Sequence, residues 1–445
     1  MFDQLHSIFP ATAEAPDGVL RIGGVDVRSL ADEHGTPVIA YDRAHVEAAA
    51  RAWIDAVRAL PAGATIAYAT KAFTSIELLR RLGELGLGAD VSSLGELEVA
   101  RRAGIDPALI VLHGNNKSRD ELEAAVRLGV GLVVVDAEGE LDLLASIARE
   151  HDHVQGVLVR VNPDIEVETH RYISTSHAGS KFGVPGKVAA SMLAQADADA
   201  HIDVRGVHVH LGSQLLDAEP WQRVLTWMAG WARDLHDRHG IAIRTLDVGG
   251  GLGIAYLEDQ RPPTPAQVVD AVGTTLAGAW ATAGLQMPHV VFEPGRSIVG
   301  QAAITIYSVG VVKQTGDDQI RYVNVDGGMS DNPRPSLYQA RYRALLGERV
   351  HDAATGTWWV AGVHCESGDV LIEDAPLPEP IPGELLVIPA TGAYAASMAS
   401  TYNMVPRCAV VSVADGSSRL LLRRESIDDL LARDADDVGS TAQVT

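Results

Sequence analysis

Lys71, in the run Tyr68-Ala69-Thr70-Lys71-Ala72, follows a short apolar stretch of β type and precedes a helical one. An amine at such a strand end, among apolar walls, is desolvated. Its pKa falls, and the neutral form can make an imine with an aldehyde, pyridoxal phosphate being the one to suspect. Taken alone, Lys71 reads as a lysine snorkelling to water, so the neighbours decide. The first is Gly249-Gly250-Gly251, whose backbone N–H groups could close on an anion such as a phosphate, or simply make a flexible turn. The dinucleotide fingerprint G-x-G-x-x-G fails because Ile254 stands in its third glycine's place, and no G-x-x-x-x-G-K-[ST] loop exists. Nicotinamide and ATP chemistry lose ground.

Glu293 and Arg296 flank the turn Pro294-Gly295. They read as a solvated ion pair or, beside a pyridine ring, as a carboxylate that keeps the ring nitrogen protonated and so makes the ring an electron sink. His208 and His210 share one face of a strand by the period-two rule and form half a metal site by type. With no third His or Cys nearby in sequence, no metal is assigned. A flat His210 imidazole stacked on a cofactor ring is the better use, and His208 then fills the barrel. Cys365 sits among Glu366, Ser367 and Asp369, a setting too polar for the usual buried free cysteine, and its thiol could deliver a proton.

These residues need a frame. From 46 to 299, eight β-branched runs alternate with amphipathic segments such as 75–85, 94–103 and 119–128. The runs are 65–70, 87–91, 109–113, 131–136, 156–162, 205–211, 243–248 and 289–292. Eight strand–helix repeats in about 250 residues predict a closed (β/α)8 barrel of TIM type, whose chemistry gathers at the C-terminal ends of the strands. Lys71, Asp90, His210, the glycine triplet and Glu293 all fall at such ends. After Gly300 the runs 303–312, 320–325, 357–363, 384–388, 407–413 and 419–423 carry few helical patterns between them, which predicts a β-rich domain of sandwich or barrel-like kind. The first 45 residues, with β-like pieces at 19–22 and 37–41, are grouped with it.

The 445 residues carry 36 basic and 58 acidic side chains, a net charge of −22, which argues against a nucleic-acid or anionic-membrane partner. Two cysteines make no disulfide framework, the N-terminus lacks a secretory pattern, and no apolar run reaches the length of a membrane helix. A reducing cytoplasm is expected.

Eight short motifs, in order, carry a resemblance. Besides the lysine run they are Gly88-Ala89-Asp90-Val91-Ser92, His113-Gly114-Asn115-Asn116-Lys117-Ser118, Ser180-Lys181-Phe182-Gly183, His210-Leu211-Gly212-Ser213-Gln214, Glu293-Pro294-Gly295-Arg296, Cys365-Glu366-Ser367-Gly368-Asp369 and Gly392-Ala393-Tyr394. From about residue 20 to 430 the chain resembles the pyridoxal-phosphate-dependent ornithine, diaminopimelate and arginine decarboxylase family, whose barrel is similar to that of alanine racemase. The resemblance implies that Lys71 carries the cofactor and that His210 stacks on its ring, with Glu293 at the pyridine nitrogen and Asp90 in the pocket. It implies a phosphate held by Ser213, Gly250, Gly251, Gly295, Arg296 and Tyr394. Substrate would be bound by Arg296, Arg334, Tyr338, Glu366 and Tyr394, with Cys365 as proton donor. It further implies a homodimer in which the partner chain supplies the loop of Cys365 and Glu366.

Within the family, a guanidinium fork at Arg296 and Arg334 suits a carboxylate at the far end of the substrate, and Glu366 its ammonium. This favours meso-2,6-diaminopimelate, converted to L-lysine and carbon dioxide, over ornithine or lysine, which have no carboxylate there. A sister decarboxylase, a barrel racemase with Tyr394 as second base, and a non-catalytic cofactor-binding paralogue remain as alternatives. Phe73 departs from the Asn that many family members carry at that point, which touches pocket detail and leaves Lys71 intact.

Overall fold

The structure, a computed structural model, describes residues 2–163, 181–315 and 320–435. Ser180, of the Ser180-Lys181-Phe182-Gly183 motif, lies outside the described residues. The chain divides into two compact units, one of residues 48–254 and 261–297, the other of residues 1–47, 255–260 and 298–445.

The unit of residues 48–254 and 261–297 is a closed barrel of eight parallel strands. In order they are Ala64–Ala69, Gly88–Val91, Ile110–Leu112, Leu132–Val135, Gln155–Asn162, Ile202–His208, Thr245–Asp247 and His289–Phe292. Closure comes from the pairing of Val290, Val291 and Phe292 with Ala64, Thr65 and Ile66. Each of the eight predicted runs contains or overlaps one of these strands. The strands are buried along nearly their whole length, as a sheet covered by helices on one face and filled by side chains on the other requires. Inside, Ala67, Val111, Val134, Leu158 and Val291 form one packed cluster.

The helices between strands start and stop where the sequence signals them. Ser118 and Glu121 make a capping box on Arg119–Leu128, Thr264 and Gln267 another on Pro265–Thr282. Gly104 and Gly129 close Leu94–Ala103 and Arg119–Leu128 in left-handed conformation. Caps of this kind contribute about 1 kcal/mol each. They fix where each helix begins, and therefore how much chain is left over as the loop that carries chemistry.

In the other unit the sheet runs Val370–Leu377, Gly356–Ala361, Ile320–Val325, Ala303–Thr315, Val38–Asp42, Ala409–Ala414 and Ser417–Leu422. Leu385–Pro389 pairs beside Ala303–Thr315. Val38–Asp42 is buried at all five positions, inserted antiparallel to the strand at 303 and parallel to the one at 409. The strand Val370–Leu377 was not anticipated: its Glu373, Asp374 and two prolines nearby break the apolar alternation, and its place is set by pairing with Gly356–Ala361. Among the described residues no helix is long and apolar enough to cross a membrane.

Candidate active site

In the barrel unit Lys71, Asp90 and Glu293 lie at or just past the C-terminal ends of their strands. Lys71 lies in the turn Thr70–Ala72 directly after the first strand. Its Nζ is 3.0 Å from Asp90 Oδ2, on the second strand, and Thr70 Oγ1 donates to the Asp90 carbonyl at 2.8 Å. The expected desolvation by apolar walls is corrected here. The Lys71 side chain is 43% exposed, whereas Asp90 is 1% exposed, so a buried carboxylate, rather than a greasy wall, holds the amine in place.

Glu293, just past the eighth strand, is the centre of a buried cluster. His113 Nε2 contacts its Oε1, and His208 Nε2 stands 3.6 Å from its Oε2. Atoms of His113, His208, Asp247 and Glu293 lie within 4.8 Å of one another. Burial works against the Glu293 charge, but the two histidines outweigh it and hold the carboxyl well below its usual range. Asp247 goes the other way: burial, and then the charge of Glu293, push it well above its usual range. Burial lowers His208 to about 3. His208 therefore does more than fill the barrel, contrary to the sequence expectation, because it faces the carboxylate. The third histidine missing from its sequence neighbourhood is His113, brought over from the end of the third strand.

The sixth strand ends at His208, two residues before His210, which the sequence had placed at the strand end. The two imidazoles remain nearly parallel, 18° apart with centroids at 6.3 Å. Burial, and then the charge of Lys71, hold His210 well below its ordinary value, so the ring is neutral and suited to stacking. The Gly250 N–H donates to His210 Nδ1 at 3.4 Å, and the Gly249 N–H to Asp247 Oδ1 at 2.8 Å. Gly249 and Gly251 have φ of +67° and +106°. A Cβ on Gly250 would lie 2.2 Å from the Glu293 carbonyl oxygen, and one on Gly295 3.0 Å from Ala69 Cβ. Only a glycine backbone fits this cradle. Beside it, Arg296 Nη2 donates to Ser213 Oγ at 2.8 Å.

These residues fit pyridoxal phosphate by the chemistry of the donor set. They supply an amine for its aldehyde, a flat neutral imidazole for its ring, an ionised buried carboxylate for its pyridine nitrogen, and glycine N–H groups with an arginine for its phosphate.

The remaining predicted residues lie in the sheet-rich unit. Arg334 and Tyr338 begin and end the short helix Arg334–Tyr338. Tyr394 is half-buried with φ of +60°, a conformation that costs a non-glycine residue energy and is found where position matters. Cys365 is exposed and its N–H donates to Asn403 Oδ1 at 3.1 Å, while Cys408 is buried. Glu366 is exposed and accepts from Gly368 N at 3.3 Å within its own loop. That loop is anchored by Asp369, which accepts from the backbone of Met329 at 2.7 Å and of His364 at 2.8 Å.

Sequence reasoning gave no role to His113, Asp247 or Asp369. The first two stand at the ends of the third and seventh strands, so the rule that singled out Lys71 would have found them. Asp369 works through backbone amides from a distant segment, and no local pattern announces that.

Residues 43–300 match the family model of the pyridoxal-dependent decarboxylases, pyridoxal binding domain. The chain belongs to this family. It is 43% identical over 425 residues to the diaminopimelate decarboxylase of Mycobacterium tuberculosis, covering 93% of this chain and 94% of that one. To the diaminopimelate decarboxylase of Bacillus subtilis it is 40% identical over 423 residues, covering 94% and 95%. Among solved structures, diaminopimelate decarboxylase from m. jannaschii, in co-complex with L-lysine, superposes with a TM-score of 0.89 at 32% identity, over 95% of this chain and 98% of that one. The enzyme from Helicobacter pylori complexed with L-lysine gives 0.85 at 34% identity, over 93% and 100%.

Proposed function

We propose that this chain is a pyridoxal-phosphate-dependent carboxy-lyase that takes meso-2,6-diaminopimelate to L-lysine and carbon dioxide, the last step of lysine biosynthesis, as a cytoplasmic homodimer. The observation that carries the proposal is Glu293, a buried carboxylate kept ionised between two imidazoles at the end of the eighth strand. When bound, the cofactor supplies an electron sink for the pair left behind as carbon dioxide departs.

The chain's own residues hold and orient. Lys71 would be the covalent attachment point, and Asp90, 3.0 Å from its Nζ, would hold that amine whenever it is not bonded to the cofactor. His210 would stack on the cofactor ring and so fix its orientation in the site. Glu293 would hold a proton on the pyridine nitrogen of the bound cofactor. Ser213, Gly250, Gly251, Gly295, Arg296 and Tyr394 take the phosphate.

At the substrate, Arg296, Arg334, Tyr338 and Tyr394 bind the far carboxylate and its surroundings, and Glu366 the far ammonium. Cys365 Sγ, exposed, returns a proton to the α-carbon. The loop of Cys365 and Glu366 comes from the second copy.

The likeness to enzymes of this activity over nearly the whole chain supports the choice of substrate. Incubating the protein with meso-diaminopimelate and pyridoxal phosphate should release carbon dioxide and L-lysine in equal amounts. Lys71→Ala should lose the visible absorbance of the bound cofactor and at least about a thousandfold in turnover. Turnover of ornithine or lysine in preference to diaminopimelate would overturn the substrate, and an unchanged absorbance in Lys71→Ala would overturn the lysine's role.

A further inference from the structure

Arg334 is 6% exposed, yet no carboxylate among the described residues pairs with it. Its guanidinium is held by aromatic groups instead. The guanidinium carbon lies 4.4 Å from the centroid of the Tyr256 ring and 5.5 Å from that of Tyr342. The two rings meet edge to face, 84° apart with centroids at 5.4 Å, and Arg334 Nη1 donates to Tyr342 Oη. Two ring faces therefore replace water around the cation, which a weakly hydrated planar guanidinium tolerates far better than an ammonium would.

The cage is itself braced. Tyr256 belongs to the short segment 255–260, and Tyr342 lies eight residues beyond Arg334. Beside them Arg343 makes a two-pronged ion pair with Glu258, at 2.9 Å on both prongs, which pins the segment of Tyr256 against that of Tyr342. Burial opposes the charge on Arg334, but the oxygens of Tyr256, Tyr342 and Tyr394 more than compensate, and its pKa is raised. The result is a permanent cation with one donor engaged by a phenol and the others lacking an anion. A guanidinium so held, with no carboxylate beside it, suits a two-oxygen acceptor.

We propose that Tyr256 and Tyr342 are specificity-determining positioning residues: a two-ring slot that presents the Arg334 fork to the substrate carboxylate remote from the reacting carbon. This rests on the reading of the substrate as meso-diaminopimelate. In that reaction the far carboxylate survives in L-lysine and is absent from cadaverine, which is otherwise the same diamine. The slot should therefore be felt by one of these ligands and ignored by the other.

The test uses the cofactor-loaded protein and its Tyr342→Phe variant, with inhibition constants for L-lysine and cadaverine, KM and kcat for meso-diaminopimelate, and a melting temperature. Tyr342→Phe should weaken L-lysine by roughly tenfold and raise KM more than it lowers kcat, with cadaverine inhibition unmoved. A general loss of structure would shift both ligands together and lower the melting temperature, and that result would overturn the proposal. So would unchanged L-lysine inhibition. Tyr256→Leu, which removes the closer ring face, asks the same question should Tyr342→Phe fail to fold. The outcome is separable from the substrate assignment, since wild-type protein that neither turns over meso-diaminopimelate nor prefers L-lysine to cadaverine would sink that assignment before any variant is compared.

Discussion

At the scale of single residues the site is governed by who carries charge in a buried place. Glu293 is held well below its usual range because His113 and His208 outweigh its burial, and Asp247 is pushed well above because burial, and then the Glu293 charge, disfavour a second charge there. His208 at about 3 is neutral across the physiological range. An unfolded histidine titrates near 6.5. The unfolded chain therefore binds a proton at His208 between about pH 6.5 and 3 that the folded chain does not, and stability present above 6.5 is lost as pH falls through this window. The contribution should amount to about 2 kcal/mol of lost stability at pH 5. Denaturant midpoints at pH 7 and pH 5 check it, and His208→Gln should make the acid limb shallower; an equally steep limb in that variant would assign the effect elsewhere. Lys71 teaches a related lesson, since its environment was misjudged from sequence: the types of its chain neighbours suggested apolar walls, but its partner is Asp90, nineteen positions away in the chain.

At the scale of elements, the barrel strands act as pointers and the loops after them as tools. The loop after the seventh strand shows how tightly the two are joined. Gly249 is held by Asp247 at the strand end, Gly250 passes against the Glu293 carbonyl after the eighth strand, and Gly251 turns in a conformation closed to most side chains. Gly250→Ala should therefore push two strand ends apart, costing about 1–3 kcal/mol of stability and weakening pyridoxal phosphate binding more than it weakens the fold. Thermal melts with and without the cofactor measure both effects. A variant that melts and binds like the parent would show that the close approach relaxes freely. The repeated strand–helix rhythm made the barrel legible, and the helical segments 94–103 and 119–128 coincide with the helices Leu94–Ala103 and Arg119–Leu128. Val370–Leu377 escaped because Glu373, Asp374 and Pro376 interrupt its apolar run and its strand character is conferred by its neighbour.

At the scale of the whole molecule, the residues proposed for cofactor are carried by the barrel unit, except Tyr394, and those proposed for substrate and proton delivery by the sheet-rich unit, except Arg296. If the loop of Cys365 and Glu366 serves the second copy, mixing Lys71→Ala with Cys365→Ala should restore activity that neither has alone. Random pairing makes half the dimers mixed, each with one intact site, so about a quarter of the wild-type rate is expected. Mixtures no more active than their components would show that each chain supplies its own thiol.

What the chain's letters carried was what repeats: eight strands, amphipathic segments between them, and the places of Lys71, Asp90 and Glu293 at or just past strand ends. Periodicity is a local property, and a barrel turns it into a ring of known polarity. What only the folded molecule decided was pairing across distance: His113 and Asp247 around Glu293, Asp90 on Lys71, the two tyrosines around Arg334. Such contacts depend on desolvation and on distances of a few ångströms between segments far apart in the chain, and burial decides which member of each group keeps its proton.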